Sequence, residues 1–372
     1  MPLLSRRRAV WAVPAVVVGT VLAGALAPGL AAGRGHTRLA PRTAAQLLVA
    51  VRGSSVQHLS GTVVETARLG LPDLPGADRS AALSWQSLVT GSHTARIWVD
   101  GPEHQRIALI GQLSESDIVH SGTDLWTYSS ADNAVTHAAL PADRAATPVP
   151  ASTEVPLTPQ AAAAQALKAI DPSTKVAVDA AAEVAGHAAY TLSLTPRDSR
   201  STVRRVLISV DGETGVPLRV QVFGSAVAAA FETAFTDVSF RRPSASVFRF
   251  TPPKHAVVTQ HDLSMRPGGA QGHAPTATTA PDPAAADQPT VIGQGWTSIL
   301  VLRQPAAPAG TAKNGRQASS NAVLDQLTRT LPNGDRLLKT SLVNALMTKD
   351  GRIFVGAVTP DLLVKAAAGS AG

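Results

Sequence analysis

Residues 203–223 read VRRVLISVDGETGVPLRVQVF. In the second half, Val216, Leu218, Val220 and Val222 alternate with Pro217, Arg219, Gln221 and Phe223. A period of two places one set of side chains on one face of a strand, and here that set is apolar. Residues 203–210, rich in valine, form a second strand. Between them Asp211-Gly212-Glu213-Thr214-Gly215 carries turn chemistry. The stretch predicts an antiparallel strand pair, and it decides the fold because the same pattern recurs on both sides of it.

Upstream, Tyr190, Leu192 and Leu194 alternate with Thr191, Ser193 and Thr195. Further back, residues 61–66, 94–99 and 105–110 are β-rich, and Asp100-Gly101-Pro102-Glu103 turns the second of these into the third. Residues 117–120 and 124–128 flank Ser121-Gly122, and residues 134–137 follow Asp132-Asn133. Downstream, residues 230–240 read as one more strand and residues 248–253 close the series. About ten strands fall between residues 43 and 262, at the short regular spacing of a meander. Only two helices interrupt them. Thr43 with Gln46 three residues on fits a capping box, and Leu47, Leu48 and Val51 then share a helical face. Thr158 caps a second helix with Pro159 at its first position and Leu167 and Ile170 as its larger apolar residues, and Asp171-Pro172 ends it. The fold class is therefore α+β and mainly antiparallel β.

The flanks differ in character. Arg6, Arg7 and Arg8 precede residues 9–32, which carry no charge. About 20 apolar residues at a rise of roughly 1.5 Å cross a hydrocarbon core, with the arginines kept in the cytoplasm. Residues 1–33 thus predict export, by a cleaved signal peptide or an uncleaved signal anchor, and an extracytoplasmic location for the rest. Residues 34–42 read as a polar tether. Residues 263–290, rich in Pro, Gly, Ala and Thr without periodicity, read as a flexible linker. Residues 291–368 read as a small α+β module: a strand over 296–302, a helix over 321–331, a hairpin of residues 337–347 and 352–358 across Lys349-Asp350-Gly351, and a last helix from Thr359-Pro360-Asp361.

Composition excludes several functions. The chain has no cysteine, which removes disulfides, thiol catalysis and thiolate metal sites. The formal charge is +7, yet basic residues cluster only at the extreme N-terminus, so no basic stripe with interleaved aromatics points to nucleic acid. There is no nucleophile elbow, no zinc-protease helix and no phosphate loop, and no cofactor is implied. The 10 histidines are scattered. His93, His104, His120 and His137 lie on or beside strands but lack adjacent carboxylates at ligand spacing, and His255 and His261, six apart in a loop, read as solvent-exposed. Trp98 and Trp126, mid-strand, read as packing residues.

The apolar sets Ile97/Val99, Ile107/Leu109, Leu192/Leu194, Val206/Ile208 and Leu218/Val220/Val222 can all lie on one side of the sheet. An ordinary core is one outcome. The other follows from the helix count, because two modest helices cover only part of so wide a face. A long apolar ligand would cover the remainder. At about 0.8 kcal/mol per buried CH₂ an acyl chain would gain up to roughly 10 kcal/mol before ordering costs.

The first helix, the meander with SGTDLWTYS, the alternating YTLSLTP, the turn DGETGVPLRVQVF and the closing FRFTPPKHA together resemble the LolA superfamily over residues 43–262. That group includes periplasmic lipoprotein carriers, RseB/MucB regulators of envelope stress and mycobacterial lipoglycolipid-carrying lipoproteins. The resemblance implies a curved half-open β-barrel with a helical lid and an acyl-binding cavity. It brings no catalytic residue. Its implied partners are an acyl lipid or lipoprotein and an envelope membrane protein, either an ABC transporter or an anti-sigma factor. The C-terminal module, with GWTSILVL and LVNALMTKDGRIFVGAV, resembles the second domain of RseB-like regulators. Arginine- and alanine-rich composition fits an actinobacterial type.

Overall fold

The computed structural model describes residues 39–54, 56–71, 90–111, 114–141, 158–262, 289–303 and 327–369. The expected export segment and most of the expected linker lie outside these residues. Among the described residues no helix is long and apolar enough to cross a membrane.

A twelve-stranded sheet dominates. Its strands are β1 (His58–Arg68), β2 (Thr90–Asp100), β3 (His104–Ile110), β4 (Glu115–Ser121), β5 (Asp124–Ser129), β6 (Ala134–Ala139), β7 (Thr174–Val184), β8 (His187–Pro196), β9 (Arg205–Asp211), β10 (Pro217–Phe223), β11 (Phe231–Ser239) and β12 (Val257–Asp262). The order is β12-β6-β5-β4-β3-β2-β1-β11-β10-β9-β8-β7. Every pair is antiparallel except β12 with β6. β7 and β12 end the list, so the sheet is open rather than a closed barrel. Sheets of this width curl because each strand twists. Register shifts at Thr62/Val63, Pro217/Arg219 and Asp179/Ala182 add local bends.

Local chemistry makes the turns. Asp211 Oδ2 accepts from the Thr214 amide and the Thr214 hydroxyl, both at 2.7 Å, and from the Glu213 amide at 3.2 Å. This Asx-type turn satisfies an aspartate that is buried with the β9–β10 connection. Helix α1 (Ala44–Arg52) carries the full capping box between Thr43 and Gln46. Helix α2 (Pro159–Lys168) starts with the Thr158 hydroxyl accepting from the Ala161 amide at 3.1 Å. Residues 39–42 differ from the expected tether. Leu39 packs on the apolar cluster, Tyr190 donates its hydroxyl to the Ala40 carbonyl, and the Arg42 guanidinium lies 5.1 Å from the Tyr190 ring centroid. An apolar leucine against the cluster that holds the buried Tyr190 ring explains the docking.

The second sheet has six strands in the order β13-β14-β18-β17-β16-β15. They are β13 (Thr290–Ile292), β14 (Ile299–Arg303), β15 (Thr328–Thr330), β16 (Arg336–Leu338), β17 (Asn344–Met347) and β18 (Arg352–Gly356). Helix α3 (Pro360–Gly369) packs Leu363 and Ala367 against Leu346, Phe354 and Val358. Three expectations change. Residues 328–330, expected in a helix, pair with β16, as β-branched Thr328 and Thr330 favour. Residues 295–297 form a 3-10 turn before β14. The long strand expected over 337–347 is broken by a turn in which the Thr340 amide donates to Asn344 Oδ1 at 3.0 Å.

The two sheets join directly. Ser201 bridges Val358, and the Thr202 amide donates to the Ala357 carbonyl at 2.9 Å. The Thr359 amide donates to the Arg200 carbonyl at 2.8 Å and the Ser341 amide to the Leu69 carbonyl at 2.9 Å. Leu342, 6% exposed, enters the core of the large sheet. The described residues from Leu39 onward cluster as one compact unit.

Candidate ligand-binding face

Paired residues on neighbouring strands point to the same side, so the register traces each face. One row runs Leu192–Ile208–Val220–Thr233–Glu65–His93 across β8, β9, β10, β11, β1 and β2. A second runs Leu194–Val206–Val222–Phe231–Ala67. A third runs Gly61–Ile97–Ile107–Ile118–Thr127 across β1 to β5. Val99 and Leu109 lie on the same face, opposite Leu59 and next to Ala95 respectively. The register shift between Pro217 and Arg219 makes Leu218 a bulge residue. It is buried with Val63, Ile97 and Phe235, residues of this same face.

This face divides in two. On the β8–β10 half, Leu192, Leu194, Val206, Ile208 and Val220 are buried, and Val222 packs against them. Leu47, Ala162, Ala163 and Leu167 complete that cluster, with Leu48, Val51 and Ile170 at its margin. α2 packs on β10 and β11, and α1 on β7 and β8. The helices therefore already cover these residues. On the β2–β4 half, Ile97 and Leu109 are buried, while Val99, Ile107 and Ile118 are only half-buried. Ile118 escaped the sequence reading, because it stands in a short strand whose other residues are Asp117, Val119 and His120.

Glu65 also escaped it. Its side chain is 2% exposed, and both carboxylate oxygens are buried without a hydrogen-bond partner. Burial pushes its carboxyl up from 4.5 to about 8, so it is protonated at neutral pH. Glu in a strand with alternating polarity reads as solvent-facing, and nothing local signals otherwise.

The opposite face has its own cover. Val247 accepts from Arg106 Nη1 at 3.3 Å, and Phe248 lies edge-on to His104. Phe250 lies 5.4 Å from the Trp126 ring, which stacks on His137 at 3.9 Å. Trp98 lies under Arg106, itself paired with Asp117 at 3.0 Å. Both tryptophans pack, as read. The register puts His93 and His120 on the helix-bearing face and His104 and His137 on the other, so the four cannot converge. His120 is buried with Nε2 at 2.8 Å from the Gly122 carbonyl, and burial holds its pKa below the usual histidine range. His255 sits in the connection before β12 with φ of 64°. Among the described residues no group of three or more His, Asp or Glu is placed to hold a metal ion.

The large open antiparallel sheet with few helices is the architecture that the sequence resemblance implies. No protein-family model and no curated protein matches the sequence. Solved structures that are similar include the complex of MucA and MucB from Pseudomonas aeruginosa, at 16% identity over 87% of this chain and 96% of that chain, with a TM-score of 0.46. An uncharacterized conserved protein from Thermus thermophilus matches at 12% identity over 59% of this chain and 99% of its own, TM-score 0.33. A LolA superfamily protein from Nitrosomonas europaea matches at 12% over 56% of this chain and 99% of its own, TM-score 0.22.

Proposed function

We propose that this chain is an extracytoplasmic binding protein that holds acyl chains of a lipid or lipoprotein against the helix-bearing face of its large sheet. The observation that carries the reading is the half-buried stripe of Ile107 and Ile118 beside Val99. It continues a buried apolar face that α1 and α2 cover on the other half only. Apolar side chains held at partial burial gain from a further apolar contact, about 25 cal/mol per Å² removed from water. α1 and α2 act as the lid. Mass spectrometry of the intact protein taken from its native membrane tests this, together with uptake of a fluorescent fatty acid. Bound lipid and saturable uptake support the reading. A protein that carries no lipid and takes up no fatty acid rules it out.

A second reading, a sensor that engages a membrane protein such as an anti-sigma factor, draws on a different observation. β13 is an edge strand of the second sheet, with Val291 64% exposed and Ile292 also exposed. Such an edge suits strand addition by a partner. A photo-crosslinker at Val291 that captures an anti-sigma factor favours the sensor, and one that captures a transporter favours the carrier.

A further inference from the structure

One buried carboxyl without a hydrogen-bond partner breaks the apolar face. Glu65 stands between two apolar clusters: Val220 and Phe231 belong to one side, Val63 and Phe235 to the other. Its cross-strand neighbours are Thr233 on β11 and His93 on β2. A buried polar group without a partner costs on the order of 1–3 kcal/mol, and a leucine there would not bear that cost. A carboxyl kept neutral in such a setting has one strong capacity left, donation of its proton to an acceptor that arrives from outside.

We propose that Glu65 is the polar contact of the ligand face, donating its carboxyl proton to the carbonyl oxygen of a fatty-acyl ester or amide whose chain lies on the flanking apolar clusters. The proposal rests on the acyl-binding reading above and names the part of the ligand that the sheet recognises. Hydrocarbon alone satisfies the apolar walls and leaves the carboxyl unpaired. An acyl carbonyl satisfies both. α2 packs on β10 and β11, and β11 is the neighbour of β1, so displacement of this helix opens the way to the carboxyl. The groups that face Glu65 are few. β11 presents Thr233, Phe231 and Phe235, none of which titrates in the working range, β2 presents His93, and the only charge on α2 is Lys168 at its end. The raised pKa agrees with donation at neutral pH and its loss in alkali.

The test uses the full chain stripped of lipid and loaded with a fluorescent apolar dye. Methyl laurate and an alkane with the same number of heavy atoms, both delivered from cyclodextrin, compete for the site in wild type, Glu65→Gln and Glu65→Leu. At pH 6 the wild type prefers the ester by about tenfold, the worth of one buried hydrogen bond. The preference disappears at pH 9.5. It survives in Glu65→Gln, whose amide still donates, and vanishes in Glu65→Leu, where ester and alkane compete alike. A diacyl lipopeptide and a diacylglycerol then serve as competitors, and the one whose affinity falls in Glu65→Leu identifies lipid-anchored protein or free lipid as the source. An ester preference that persists in Glu65→Leu, or a wild type indifferent to the ester, overturns the proposal and leaves the acyl-binding reading intact. Failure of both competitors to displace the dye at either pH overturns that reading and this proposal together.

Discussion

Trp296 donates its indole N–H to the Thr174 hydroxyl at 2.8 Å, from the 3-10 turn before β14 to the first residue of β7. The ring also packs on the cluster beneath α1 and α2. Trp296→Phe keeps the ring and removes the donor, and is expected to cost about 1 kcal/mol, whereas Trp296→Ala costs about 3 kcal/mol. Urea unfolding midpoints check the ratio of the two.

Leu342 makes the same connection through packing. Removing it leaves a hole in the core of the large sheet, at a cost of about 2–5 kcal/mol for Leu342→Ala. A chain ended after residue 262 loses Leu342, Trp296 and the Ser201–Val358 bridge at once. It is expected to melt well below the full chain, as followed by circular dichroism. Equal melting temperatures would show that the first sheet stands alone.

Glu65 makes stability depend on pH. Its carboxyl binds a proton more tightly in the folded chain, with its pKa raised from 4.5 to about 8. Stability from this group is complete below 4.5, declines as pH rises through that window and is lost above about 8. The steepest slope is about 1.4 kcal/mol per pH unit. Melting curves from pH 5 to 9 are expected to fall for wild type and to flatten in Glu65→Gln.

Ile107 and Leu192 share a face and differ in cover. Leu192 is fully buried under the helix cluster and Ile107 is not. Leu192→Ala is expected to destabilise by about 2–5 kcal/mol. Ile107→Ser is expected to cost about 1 kcal/mol and to weaken fatty-acid uptake severalfold. Dye displacement together with melting separates the two effects.

Gly215 takes φ of 72°, and a Cβ there would meet the Ala50 carbonyl at 2.8 Å. Gly215→Ala therefore strains the turn and pushes α1 off its seat. The expected result is faster hydrogen exchange in residues 44–52 with β9 and β10 unchanged, which deuterium labelling resolves.

Features fixed by neighbouring residues were legible in the sequence. The Thr43–Gln46 capping box, the Asp211 turn and the alternation in β8 and β10 each depend on a few adjacent side chains. Features fixed by distant partners were not. The bulge at Leu218 arises because β9 presents Val210 and Ser209 opposite the three residues Pro217 to Arg219 of β10. Thr328–Thr330 is a strand because β16 lies beside it. Glu65 lies between β2 and β11, which come from opposite directions along the chain. The half of the apolar face under the helices could not be told from the half with half-buried Ile107 and Ile118, since Leu192 and Ile107 have the same pattern around them.

β1 pairs with β2 on one edge and β11 on the other. A chain emerging from its N-terminus can assemble β1 to β6 as a local meander, but the far edge of β1 stays unpaired until Phe231–Ser239 exists. The sheet therefore joins at its middle late, through a contact of long sequence separation, and only the β12–β6 edge pair waits for a later segment. Such topologies fold slowly and expose a sticky strand edge while they wait. Thr62, Val64 and Thr66 all stand on β1, an attractive template for another chain. Yield of this protein should accordingly depend more on what shields β1 during synthesis than on the stability of the finished sheet.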